Sequence, residues 1–320
     1  MSKAVRIILR VALWGAAVVA VLIALAVYLL YAPAPPEPAL SARPVPGTVR
    51  VGALDRTYLL YAPARAAPAP PLLVVFHGSM GSPADIRVAT GYEFDMLADR
   101  HGFVVVYPQG FEGNWNDCRR AADYSARRLG IDDDAFFEAL VARLRRERGI
   151  DPARVFVAGL SNGAQFVFRL ALEHPERIAG AAVFAASLPM RENSDCTPRG
   201  APPPMMIVNG TADPINPFEG GNVSLFGFAD RGPVLSSRGS AAWFARASGA
   251  AGPATTRANG VERHSWRAPG GSEVVLLAVE EGGHVVPQPS YRAPRLLGRS
   301  VTAVNGPAEA WEFFRRQPPR

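Results

Sequence analysis

Apolar residues occur in two kinds of run along this chain. The first is a single long stretch, residues 11–31 (VALWGAAVVAVLIALAVYLLY), which carries no charge. As a helix rising 1.5 Å per residue it would be about 30 Å long, the thickness of a bilayer's hydrocarbon core. The second kind is short and recurrent. Runs at 72–76 (LLVVF), 103–107 (FVVVY), 155–158 (VFVA), 181–185, 205–208 and 274–279 are apolar throughout, as expected of strands buried on both faces. Residues 49–51 and 57–62 predict an opening pair of strands.

Between the short runs the period changes to that of a helix. From 134 to 148, apolar residues stand at 136, 137, 140, 141 and 144, with Asp132 and Asp133 ahead as caps and arginines in the last turns. Residues 161–173 predict a second helix, stopped by Pro175. Ser236 can cap a third (SSRGSAAWFARAS), and Pro307 opens a last one running to Arg316. Strands alternating with helices predict an α/β fold with a mostly parallel sheet covered on both sides. Residues 217–235 are glycine-rich and irregular, an expected excursion near the active face.

The flanks of the long run assign it a role. Lys3, Arg6 and Arg10 precede it, and these three cations supply half of the chain's net charge of +6. The next charges are Glu37 and Arg43. This asymmetry predicts a signal anchor over 11–31, with residues 1–10 in the cytoplasm and the rest of the chain outside it. The competing reading is a cleaved signal peptide ending near Ala32-Pro33-Ala34, which would leave a secreted protein. The proline-rich residues 32–46 (APAPPEPALSARPVP) then predict a semi-rigid linker holding residues 47–320 off the membrane as one domain. No basic tract or aromatic–basic stripe accompanies the charge, which argues against nucleic acid. Two cysteines exclude a disulfide-dense scaffold, and five scattered histidines do not make a metal site.

The chemistry concentrates at Gly159-Leu160-Ser161-Asn162-Gly163, between the run VFVA and a helical segment. A serine at a sharp strand-to-helix turn presents its hydroxyl above the sheet edge, and small residues on either side make room for the tight backbone. The bland alternative is a serine capping an ordinary helix. As a nucleophile Ser161 needs a base, and then a group to orient that base. His284, in the Gly-Gly-His loop after VVLLAVE, is the candidate base; His264, inside VERHSW, is the weaker choice. Asp213, just beyond the run MMIVN, is the candidate acid, although an Asx-turn before Pro214 would use the same residue. Asp195 and Asp230 are poorer candidates. Oxyanion donors are expected from the backbone N–H of Asn162 and of Ser79 in the loop HGSMG, with Met80 as the alternative to Ser79.

The segments PLLVVFHGS, VVYPQGFEGNWNDCR, GIDDDAFFEAL, GIDPARVFVAGLSNGA, NGTADPINPFEGG and EGGHVVP occur in this order between about residues 50 and 290. In them the chain resembles the poly(3-hydroxybutyrate) depolymerase-like esterases, which group with feruloyl and acetylxylan esterases. The resemblance implies an α/β-hydrolase fold and ester hydrolysis by a Ser161–His284–Asp213 triad, with neither metal nor cofactor. The expected substrates are short-chain esters, hydroxyalkanoate oligomers, or acetyl and feruloyl esters on polysaccharides. A serine peptidase or lactone hydrolase on the same fold is the alternative, and a membrane-tethered polymer-binding protein with an idle triad is the rival from outside enzymes. Trp115 and Asn116 are expected near the cleft, with plain packing as the alternative for Trp115. The chain departs from the family's usual pattern at Asn209, where His is common, and at Val286, where Trp is common. Cys118 and Cys196 are expected to pair if the domain lies outside the cytoplasm, and otherwise to be two buried thiols.

Overall fold

A computed structural model describes residues 2–320. The long apolar run lies in helix α1 (Lys3–Leu30), which begins earlier than the uncharged stretch because the Ser2 hydroxyl accepts the Val5 N–H (3.3 Å) at its amino end. None of its side chains is buried, and it is long and apolar enough to cross a membrane.

The proline-rich residues that follow do not stand away from the domain. Glu37 pairs with Arg87 (2.6 Å), the Ser41 N–H donates to Asp99 (2.9 Å), and Leu40 and Ala42 pack on the core. Proline stiffens the segment, and Glu37, Leu40, Ser41 and Ala42 find partners on the domain. The first strand accordingly starts at Val45.

Strands β1 (Val45–Val51) and β2 (Leu54–Tyr61) form an antiparallel hairpin. The alternation then runs β3 (Leu72–Phe76), α2 (Pro83–Ala89), α3 (Glu93–His101), β4 (Val104–Pro108), α4 (Ser125–Arg128), α5 (Asp133–Arg148), β5 (Val155–Leu160), α6 (Asn162–Glu173), β6 (Gly180–Phe184) and β7 (Met205–Gly210). A small ribbon of β8 (Gly221–Asn222) and β9 (Pro233–Val234) interrupts it. The chain ends with α7 (Ser237–Ala247), β10 (Ala254–Ala258), β11 (Val261–Arg267), β12 (Glu273–Val279) and α8 (Gly306–Arg315).

The ten-stranded sheet has the order β1-β2-β4-β3-β5-β6-β7-β12-β11-β10, parallel from β4 to β12 and antiparallel at both edges. Its two faces carry separate cores. Phe136, Leu140, Phe166 and Phe244 from α5, α6 and α7 cover one face; Phe94, Leu97, Trp311 and Phe314 from α3 and α8 cover the other. The chain moves outward from β3 to β4 and then returns to place β5 on the other side of β3. That reversal puts the topological switch point at the carboxyl ends of β3 and β5, the place where open α/β sheets bind ligands.

Helices α2 and α3 and strand β10 were not expected from periodicity. In α3 the buried positions include Glu93 and Asp95. Asp95 is held by Arg87 (2.8 Å) and the Tyr107 hydroxyl (2.7 Å), so a polar network occupies sites that a hydrophobic pattern would fill. Strand β10 is exposed at every position and has no apolar face to read.

Candidate active site

Strand β5 delivers Ser161 into a turn with φ +76° and ψ −108°, outside the ordinary regions for a residue with a Cβ. Such a conformation costs on the order of 1–3 kcal/mol and persists only where the surroundings enforce it. Here the Ser161 N–H donates to the Phe184 carbonyl (3.0 Å), and its own carbonyl accepts the Gln165 N–H (2.9 Å) to start α6. The glycines are set by space. A Cβ at Gly163 would lie 2.4 Å from the His77 carbonyl oxygen, and one at Gly159 would lie 2.5 Å from the Gly163 backbone. Ser161 stands at the capping position of α6, yet its side chain makes no capping bond. Its hydroxyl points instead to His284.

His284 Nε2 lies 2.8 Å from Ser161 Oγ, and His284 Nδ1 lies 2.8 Å from Asp213 Oδ2. The carboxylate therefore fixes the proton on Nδ1 and leaves the Nε2 lone pair facing the hydroxyl. Asp213 Oδ1 accepts the N–H groups of Ile215 and Asn216 (both 2.8 Å), so the Asx-turn and the contact to the imidazole coexist on one carboxylate. The main chain at His284 is anchored too, its backbone N–H donating to the Leu297 carbonyl (2.7 Å). Of the alternatives, Asp195 is paired with Arg120 and Arg127, Asp230 caps its own turn at Gly232, and His264 lies against Glu262 on β11.

The loop after β3 runs beside Ser161: a Cβ at Gly78 would lie 3.5 Å from Ser161 Cβ. Neither the Ser79 nor the Asn162 N–H has a protein acceptor among the described residues. The Ser79 hydroxyl bonds the Tyr124 hydroxyl (3.0 Å), while Met80 adopts φ +57° with its side chain 77% exposed. His77, which sequence reasoning passed over, organises this loop. Its Nδ1 lies 2.7 Å from the Gly78 carbonyl and its Nε2 accepts the Gly110 N–H (2.9 Å), an arrangement that needs the neutral ring. Burial lowers its pKa below the ordinary histidine value.

Trp115 lies beside the Ser161 turn and is fully buried, in the packing role that was the alternative for it. It stacks on Phe166, meets Phe76 edge-on, and donates its indole N–H to the His77 carbonyl (3.0 Å). Asn116 is likewise committed to structure, its amide donating to the Ile131 carbonyl (3.0 Å) and its backbone N–H to Asp133 (2.8 Å). The NWND segment clasps the turn that carries Ser161. The Asn162 side chain accepts the Trp115 N–H (2.8 Å) and donates to both the Trp115 carbonyl (3.1 Å) and Asp117 (2.8 Å). Asp117 is itself buried against Arg119 (2.6 Å). The signal for this clasp was present in the Asn after the serine, but nothing local said what it bonds.

Cys118 and Cys196 form a disulfide, with Cα atoms 5.2 Å apart, joining the loop after β4 to the loop after β6. Asn209, at the usual histidine position, donates to the Ala186 carbonyl and the Ser237 hydroxyl (both 2.8 Å), and Val286 is buried in the core. No cluster of histidine, cysteine or acidic residues that could hold a metal occurs among the described residues.

The model of the family described as esterase PHB depolymerase matches residues 56–194. A putative esterase, NocK, of Nocardia uniformis subsp. tsuyamanensis is 30% identical over 305 residues, covering 89% of this chain and 86% of its own. Poly(3-hydroxyalkanoate) depolymerase C of Paucimonas lemoignei is 34% identical over 116 residues, which are 36% of this chain and 27% of that protein. Among solved structures, the acetyl xylan esterase from Aspergillus awamori superposes with a TM-score of 0.57 at 18% identity, covering 85% of this chain and 99% of that one. That superposition shows the α/β-hydrolase fold.

Proposed function

The chain belongs to the PHB depolymerase-type esterases, a family of carboxylic ester hydrolases, and we propose that it cleaves its substrate through an acyl-serine intermediate at Ser161. The observation that carries this reading is one imidazole within 2.8 Å of both the Ser161 hydroxyl and the Asp213 carboxylate. His284 takes the hydroxyl proton as Oγ attacks the ester carbonyl, and returns it to the departing alcohol. Asp213 orients the ring and stabilises its charged form. The Ser79 and Asn162 N–H groups bind the oxygen of the tetrahedral intermediate. Water, deprotonated by the same imidazole, then releases the acid.

The substrate classes that fit the family are short-chain esters, hydroxyalkanoate oligomers, and acetyl or feruloyl esters of polysaccharides. Residues 11–31 serve as a signal anchor, with residues 1–10 in the cytoplasm and the catalytic domain outside. The charge asymmetry around α1 supports that topology, and the disulfide suits an oxidising compartment.

A fluorophosphonate probe tests the nucleophile. Wild-type protein is expected to be labelled on Ser161, and Ser161→Ala not at all. Equal labelling of the two would refute the assignment.

A further inference from the structure

The catalytic imidazole and the end of the apolar helix share one short turn. Arg295 donates to the Tyr28 carbonyl (3.2 Å) and stacks its guanidinium 4.5 Å above the Tyr28 ring, while Leu297, two residues on, accepts the His284 N–H. A second tie lies in the residues after α1, held to the domain by Glu37–Arg87 and by Ser41 on Asp99. The domain is therefore mounted on α1 at two points, one of them beside the active site, and does not swing on a loose tether. Tyr28 and Tyr31 sit at the end of the apolar stretch, the level at which tyrosines mark a membrane–water interface.

The exposed apolar side chains follow the same edge. Beyond α1 and its capping residue Tyr31, the exposed large hydrophobic residues among the described residues are Val45, Met80, Leu129, Phe226 and Phe228. All of these but Val45 lie on loops leaving the carboxyl ends of the parallel strands, the edge that also carries Ser161, Asp213 and His284. Phe228, 78% exposed, tips the loop whose Arg231 packs 4.3 Å from the Tyr124 ring, and Tyr124 in turn bonds Ser79. Exposed aromatic and methionine side chains around a site are costly in water and suited to the headgroup–acyl boundary.

We propose that the active-site edge rests on the bilayer that α1 spans and that the enzyme hydrolyses amphiphilic acyl esters held in that leaflet. Met80 and the Phe226–Phe228 loop enter the headgroup region, and the ester carbonyl reaches Ser161 without leaving the membrane surface. Hydrolysis is as described above, one water consumed and one acid and one alcohol released. The proposal rests on the acyl-serine reading.

The test uses the full chain in vesicles of phosphatidylcholine and phosphatidylglycerol. Two probes are compared: water-soluble p-nitrophenyl butyrate, and 4-methylumbelliferyl palmitate dissolved in the bilayer. Phe226→Asp/Phe228→Asp is expected to lower turnover of the embedded ester at least tenfold and to leave the soluble ester within twofold of wild type. A bimane label on Phe228→Cys, selective because both native cysteines are in a disulfide, is expected to be quenched by doxyl-labelled lipid. Wild type that cleaves the soluble ester but not the embedded one overturns the proposal alone, as does an unquenched bimane. If the aspartate variant loses both activities equally, the quenching result decides. Failure to cleave either ester, with no fluorophosphonate labelling, overturns the acyl-serine reading and this proposal together.

Discussion

Replacing Asn162 by alanine separates the backbone of the nucleophile turn from the clasp that holds it. The substitution keeps the Asn162 N–H proposed as an oxyanion donor. It removes three hydrogen bonds of 2.8, 3.1 and 2.8 Å to Trp115 and Asp117. The Trp115 N–H and carbonyl are then left unpaired in a buried site, at about 1–3 kcal/mol each. Asp117 keeps Arg119 and loses less. The expected loss is about 3–5 kcal/mol, which lowers Tm by about 6–20 °C for a domain of this size at about 2–4 °C per kcal/mol. Near-UV circular dichroism of the full chain in detergent reads this directly, because Trp115 is stacked in the affected core. Fluorophosphonate labelling should slow by up to about 10²-fold if the serine shifts by an ångström. Asn162→Asp sharpens the test. It restores an acceptor for the Trp115 N–H but faces Asp117 with a second carboxylate, so it should melt below the alanine variant at pH 7.5 and recover part of the difference at pH 5. An Asn162→Ala protein melting within about 2 °C of wild type, with unchanged labelling, would refute the clasp.

The remaining expectations address the other supports of the site. Asp213→Asn keeps the shape but loses the charge that fixes the His284 tautomer, and should lower kcat on p-nitrophenyl butyrate by roughly 10⁴-fold with little change in KM; a loss under tenfold would remove Asp213 from the mechanism. Reducing the Cys118–Cys196 disulfide, which spans 78 residues, should cost about 4.5 kcal/mol on chain-entropy grounds and lower Tm measurably; an unchanged melt in dithiothreitol with both thiols titratable would contradict this. His77 is neutral when folded and its pKa is lowered from 6.5 by burial. The unfolded chain therefore binds the extra proton first, so the stability His77 contributes is complete above about pH 6.5 and is lost as pH falls towards its folded pKa. His77→Gln should flatten the Tm-versus-pH curve between pH 7 and 5, and an identical slope would reject the effect.

Much of the molecule could be read from the chain because its physics is local. A long uncharged run behind three cations specifies α1 by composition. The fully apolar runs that become β3, β4, β5 and β12 have few alternatives to the centre of a parallel sheet. Gly159 and Gly163 bracket Ser161 because a Cβ at either would strike backbone, and that constraint is visible in the residues themselves. What pairs at a distance was not legible. Trp115 could have lined a cleft or filled a core, and only the packing of Phe76, Phe166 and the His77 carbonyl around it decides for the core. The proline-rich segment could have stood free, but Arg87 and Asp99, far away in sequence, hold it to the domain. His77 gives no sign in sequence that its ring fixes the loop to Gly110. Local pattern fixes a residue's backbone and its preference for water, whereas its partners depend on which strands become neighbours, and that order arises only when the whole sheet closes around one core.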